Sequence, residues 1–262
     1  MTAEARRLFG DWRGYALVGL TLVFAIAALV VPAMPQPLEY HGFADGRTLW
    51  GVGNFFNVQS NAPFLIAGIL GLVLIGKGGG RFVDPREKLP YVVFFVGAAL
   101  TCFGSSYYHL APDNPRLVWD RLPMTLGFSG LVAAAIAERV DLKLGLRVLW
   151  PMQLIGVLTV VYWSVTERAG AGNVIPYAAF QFWSIAVIVL VMSVFPAKRY
   201  THGRLLAWAA LWYFLAKVFE AFDAQIYRLL GGALSGHSIK HVLASFAVFA
   251  IAWQLHVRRP LP

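Results

Sequence analysis

Apolar stretches close to the length of a bilayer-crossing helix follow one another along the chain, separated by short polar breaks. They fall at about Tyr15 to Ala33, Asn54 to Gly76, Tyr91 to Leu110, Leu122 to Ala137, Val148 to Trp163, Val174 to Phe195, Leu205 to Phe222 and His237 to His256. A helix needs about 20 predominantly apolar residues to span the hydrocarbon core, so the pattern predicts eight transmembrane helices. The breaks carry helix-ending residues, as in KGGGRFVDPREK from Lys77 to Lys88 and APDNPR from Ala111 to Arg116. With no internal repeat and no room for a soluble domain, residues 1–262 are expected to form a single polytopic membrane domain, an all-α integral membrane protein.

Composition agrees. Of 262 residues, 58% are hydrophobic and only 13% charged, against about 25% charged in an ordinary soluble domain. That excludes a freely soluble enzyme. The formal charge of +9 would suggest nucleic acid in a soluble protein, but in this chain it reports topology. With the N-terminus inside, fifteen basic residues fall on inner segments, running from Arg6, Arg7 and Arg13 to Arg258 and Arg259. Five fall outside (Arg47, Arg116, Arg121, Arg168 and Arg228), while Lys217 and Lys240 lie within helices. This bias places both termini in the cytoplasm. The first stretch is longer than a signal-peptide core and is expected to be a retained helix. Cys102 is the single cysteine, so neither an internal disulfide nor a cysteine metal cluster can form.

Polar groups inside a bilayer are costly and tend to mark pairs or sites. In this orientation they gather at the outer ends of the helices: Asn54, Asn57, Ser60 and Asn61 on the second, Ser105 and His109 on the third, Asp120 on the fourth, Glu220 and Asp223 on the seventh, His237 and His241 on the eighth. His237 and His241, at i and i+4, share one helical face as two ligands of one metal require. His109 would complete a three-nitrogen set with one open position, the pattern of catalytic zinc. The same histidines would equally serve by bonding neighbouring carbonyls or hydroxyls. Ser105 lies one turn before His109 on the same face. Asp120, at the expected start of a helix, reads equally as an N-cap and as a proton carrier.

Taken in order, NVQSN from Asn57 to Asn61, SSYYH from Ser105 to His109, DRLPM from Asp120 to Met124 and HSIKH from His237 to His241 resemble the alkaline ceramidase family. That family sits within the wider superfamily of progestin and adipoQ receptors. The resemblance covers about Asp45 to His256 and implies a seven-helix core at about 54–256, with the helix at about 15–33 added in front. It implies His109, His237 and His241 as zinc ligands, with Ser105 and Asp120 as catalytic groups beside them.

The resemblance also implies a calcium site built by acidic residues before the first core helix. Here the pattern departs: Asp45 is the one carboxylate between Glu39 and that helix, and Asn54 stands where an acid is expected. Ca2+ is therefore expected only with Asp45 as its ligand and backbone oxygens in support. The activity implied is zinc-dependent hydrolysis of ceramide-like long-chain N-acyl amphiphiles to a fatty acid and a sphingoid-type amine, at the outer face. Ser60, Asn61, Tyr108, Lys217 and Glu220 are the substrate-binding candidates, although Lys217 and Glu220 also read as a buried pair that fixes packing. A lipid receptor of the same superfamily and a membrane transporter are the alternatives.

Overall fold

The computed structural model describes residues 10–262, which leaves Arg6 and Arg7 outside the described residues. The described residues are all-α, without a β-strand. The helices are α1 (Trp12–Val30), α2 (Phe55–Gln59), α3 (Ala62–Gly76), α4 (Lys88–Leu110), α5 (Asn114–Arg139), α6 (Leu142–Arg168), α7 (Ile175–Val194), α8 (Arg204–Ala221), α9 (Asp223–Leu229) and α10 (Gly236–Val257). Among the described residues six spans are long and apolar enough to cross a membrane, with α2 and α3 counted as one, and α8 with α9 makes a seventh, bent by 83°. The 26 residues of α5 would rise about 39 Å. Its charges dilute its hydropathy, yet it packs between α4 and α6 as the eighth member. Leu22, Val23, Ile26 and Leu29 of α1, and many like them elsewhere, stay exposed. A surface this apolar belongs in lipid, and the protein is a membrane protein.

Several boundaries differ from the hydropathy reading. The fourth helix starts at Asn114 rather than Leu122, because Asp113 caps it by accepting from the Arg116 N–H at 2.7 Å. Asp120 thus lies within α5 and is not its N-cap. The fifth starts at Leu142, where Asp141 accepts from the Leu144 N–H at 3.0 Å. Hydropathy missed both starts because the first turns are polar, while Pro123 and Pro151 are tolerated inside these helices. The second stretch is broken at Ser60 and Asn61, and α9 forms where a loop is expected.

Small residues set the spacing that the site depends on. A Cβ on Gly104 would run into the Trp119 carbonyl, and one on Gly97 would lie 2.6 Å from the Gly127 nitrogen. The α4 and α5 backbones can approach closely only because these positions lack a side chain. At the opposite end of the bundle, Arg258 is fully buried: it pairs with Glu138, donates to the Gly80 carbonyl at 2.7 Å and lies 3.8 Å from the centre of the Tyr200 ring. This clamp ties the end of α10 to α5 and to the α3–α4 connection.

Candidate metal centre and its cavity

The alternation of the helices brings the end of α4 and the start of α10 together. His109, His237 and His241 are all buried, and one nitrogen from each falls within 4.8 Å of the others. His237 Nε2 faces His109 Nε2 at 3.4 Å. That is close to the edge, about 3.3 Å, of a tetrahedron of nitrogens about 2.0 Å from a central zinc. Burying three imidazoles with nitrogens converging in this way is unfavourable unless a cation or a proton sits among them. His109 Nδ1 is itself buried without a partner among the described residues. The donor set fits a metal ion.

The surrounding residues fix these rings. The Ser60 hydroxyl has one proton, which it gives to the Asn57 carbonyl at 3.1 Å. Its 2.8 Å contact with His241 Nδ1 therefore has the imidazole donating, which leaves Nε2 with its lone pair toward the cluster. Asn57 in turn accepts from Ser238 Oγ at 2.7 Å, joining α2 to α10. Ser235 caps α10, while Asp223 accepts from the His237 N–H in its first turn at 2.7 Å and its other oxygen takes the Ala44 N–H at 2.9 Å. Phe43 lies over the cluster, its ring centre 4.7 Å from that of His109 and 4.3 Å from that of His237.

Beside the histidines opens a cavity of about 390 Å³. His241, Ser105, Asp120 and Asn61 stand on its wall. Asn61 is fully buried, donates to the Asn57 carbonyl at 2.9 Å and leaves Oδ1 unpartnered. Lys217 and Lys240 both pair with Glu220, Lys240 at 2.5 Å, and all three line the same cavity. From His241 the lining continues along α10 through Ala244, Ala247 and Val248 to Ile251, a rise of about 15 Å with no polar side chain on it. A polar head and a long apolar tail in one cavity match an amphiphile.

Not every expected residue reaches this cavity. Tyr108 is buried away from it, with its hydroxyl 2.8 Å from His41 Nδ1, while His41 Nε2 meets Asn114 Oδ1 at 2.9 Å. Ser60 is turned to His241 rather than to the cavity. The calcium expected at Asp45 finds no support. Its buried carboxylate is gripped by Arg47 through Nε at 2.8 Å and Nη2 at 2.6 Å, so a side-chain cation already neutralises it. Burial would raise this carboxyl, but the Arg47 bonds outweigh it and hold it below the ordinary carboxylate range. Asn54, where an acid is expected, donates to the His109 carbonyl at 3.0 Å and so satisfies the end of α4.

The sequence profile of the ceramidase family matches residues 50–259. The chain belongs to the ceramidase family. No curated protein matches it. The ceramidase match takes in every helix from α2 to α10 and all three histidines, while α1 and residues 31–49 precede it. Those preceding residues supply groups that motif reading missed: Gln36 and Tyr40 line the cavity, and Phe43 covers the imidazoles. They lie in a connection without periodicity, so nothing in their spacing marks them. Lys240 and Arg121 were also missed, although both stand inside ceramidase-like motifs, next to His241 and Asp120.

Proposed function

We propose that this ceramidase-family protein is a zinc-dependent intramembrane amidase that cleaves ceramide-like long-chain N-acyl amphiphiles to a fatty acid and an amine. The observation that carries the proposal is the convergence of three buried imidazoles beside Ser105 and Asp120, at the polar end of a long apolar cavity. His109, His237 and His241 would hold the zinc, which when bound would acidify a water toward a pKa of about 7 and polarise the amide carbonyl.

The protein's own groups do the rest. Asp120 Oδ accepts the proton that water loses as its oxygen bonds to the acyl carbon. It then delivers that proton to the amide nitrogen as the C–N bond breaks, so a carboxylic acid and an amine leave and Asp120 is regenerated. Ser105 Oγ donates to the carbonyl oxygen as charge develops there. Asn61 Oδ1, unpartnered and on the wall, accepts from the amide N–H or a head-group hydroxyl. Lys217, Glu220 and Lys240 form the polar floor near the head group, while Phe43 keeps bulk water off the imidazoles. The acyl chain lies along Ala244, Ala247, Val248 and Ile251, and half-exposed Phe182 and Val189 of α7, part of the wall, are where the cavity meets the bilayer.

The basic bias of the loops supports placing both termini in the cytoplasm and this site toward the outer face. The test is release of free fatty acid from a panel of N-acyl amphiphiles by purified protein, with and without a chelator. Chelator-sensitive release is expected; no release from any long-chain amide contradicts the proposal.

A further inference from the structure

Three cations line the cavity, Arg121, Lys217 and Lys240, against two carboxylates, Asp120 and Glu220. Glu220 is shared by the two lysines. Arg121 is left with no carboxylate within 4 Å among the described residues, although it is 5% exposed. Its guanidinium lies against the rings of Trp163, at 4.0 Å, and Tyr177, at 4.8 Å. Its Nη2 donates to Gln36 Oε1 at 2.6 Å, whereas Nη1, with two N–H groups, has no partner among the described residues. The carboxylate on the same side, Glu167, is taken by the Gln36 N–H and by Trp163 Nε1 at 3.2 Å.

A buried charge without a counter-ion is costly, and aromatic faces offset only part of that cost. Two free donors in such a site bind an oxyanion strongly. Of the three lining cations, Arg121 is the one without an ion pair among the described residues, which suits a single carboxylate. We infer that Arg121, steadied by Gln36, Trp163 and Tyr177, forms a subsite for a carboxylate on the head group, so that the N-acyl amphiphiles this protein prefers are acidic ones of the N-acyl amino acid type. This rests on the amidase reading for the acyl part of the ligand; the charge preference follows from Arg121.

Equilibrium binding to chelator-treated protein tests it without turnover. The probes are N-dodecanoylglycine, its methyl ester, N-dodecanoylethanolamine and dodecanoate, which share one acyl chain. The glycine conjugate is expected to bind at least tenfold more tightly than its ester and than the ethanolamine conjugate, and Arg121→Gln should bring the acid-to-ester ratio close to one. Equal binding of acid and ester by the unaltered protein overturns the subsite whether or not the variant folds. An Arg121 dependence seen with dodecanoate and not with the glycine conjugate also overturns it, because the charge read would then be that of the acyl product. Hydrolysis of neutral amides with no preference in binding refutes the subsite and leaves the amidase standing. Acid preference without hydrolysis of any amide does the reverse.

Discussion

Ser60→Ala removes the hydroxyl that accepts from His241 Nδ1 at 2.8 Å and leaves that N–H facing a closed interior. The loss falls on one ring nitrogen, since the cavity wall does not include Ser60. A buried donor stripped of its partner costs about 1–3 kcal/mol. Each 1.4 kcal/mol is a factor of ten in affinity. If that cost appears when His241 Nε2 must present its lone pair to zinc, the zinc Kd rises by about ten- to a hundredfold, in line with the usual effect of removing a group that orients a ligand. Competition against a chromophoric chelator measures it directly. The substrate KM, taken at saturating zinc, should move much less than the metal affinity. A zinc Kd within twofold of the unaltered value would refute the orienting role, and a change confined to KM would return Ser60 to the substrate-binding role that its motif suggests.

Asp120→Asn should retain zinc and lose at least about a hundredfold in turnover, because it can no longer take or give a proton; near-normal turnover would mean the proton carrier lies elsewhere. Gly104→Ala forces α4 and α5 apart at the Trp119 carbonyl and should lower stability by about 1–3 kcal/mol, with a loss of activity larger than that of metal, read by thermal unfolding beside zinc analysis. In a Cys102→Ser background, single cysteines at the exposed positions Arg168 and Leu229 should react with an impermeant thiol reagent from outside. Cysteines at exposed Arg86 and Lys143 should not, and reversed labelling would invert the orientation.

Much of the bundle is legible in hydropathy alone, because a bilayer demands long apolar segments and tolerates little else. The helix starts at Asn114 and Leu142 are not, since a capping aspartate and a polar first turn look like loop. For Asp120 the consequence is chemical: six residues into α5, with Asp113 already capping, it is free for another task. The histidine cluster can be anticipated from the i, i+4 pair and the polar outer ends of the helices, and the ring contacts bring His109 to that pair. What spacing cannot convey is where a loop returns. Gln36, Tyr40 and Phe43 reach the site because the Asp223 carboxylate and the Met34 carbonyl, which accepts from the Val174 N–H at 2.8 Å, pin the connection across the bundle. Likewise, Arg47 meets Asp45 two residues away, a pairing that a count of acids alone does not foresee.

Hydrolysis as proposed requires that the three imidazoles hold the metal. Metal-stripped protein titrated with zinc should regain fatty-acid release and reach a plateau at about one zinc per chain. His241→Ala should bind little zinc and stay inactive over the same range. Full activity in the stripped protein, or an unchanged zinc content in His241→Ala, would contradict it.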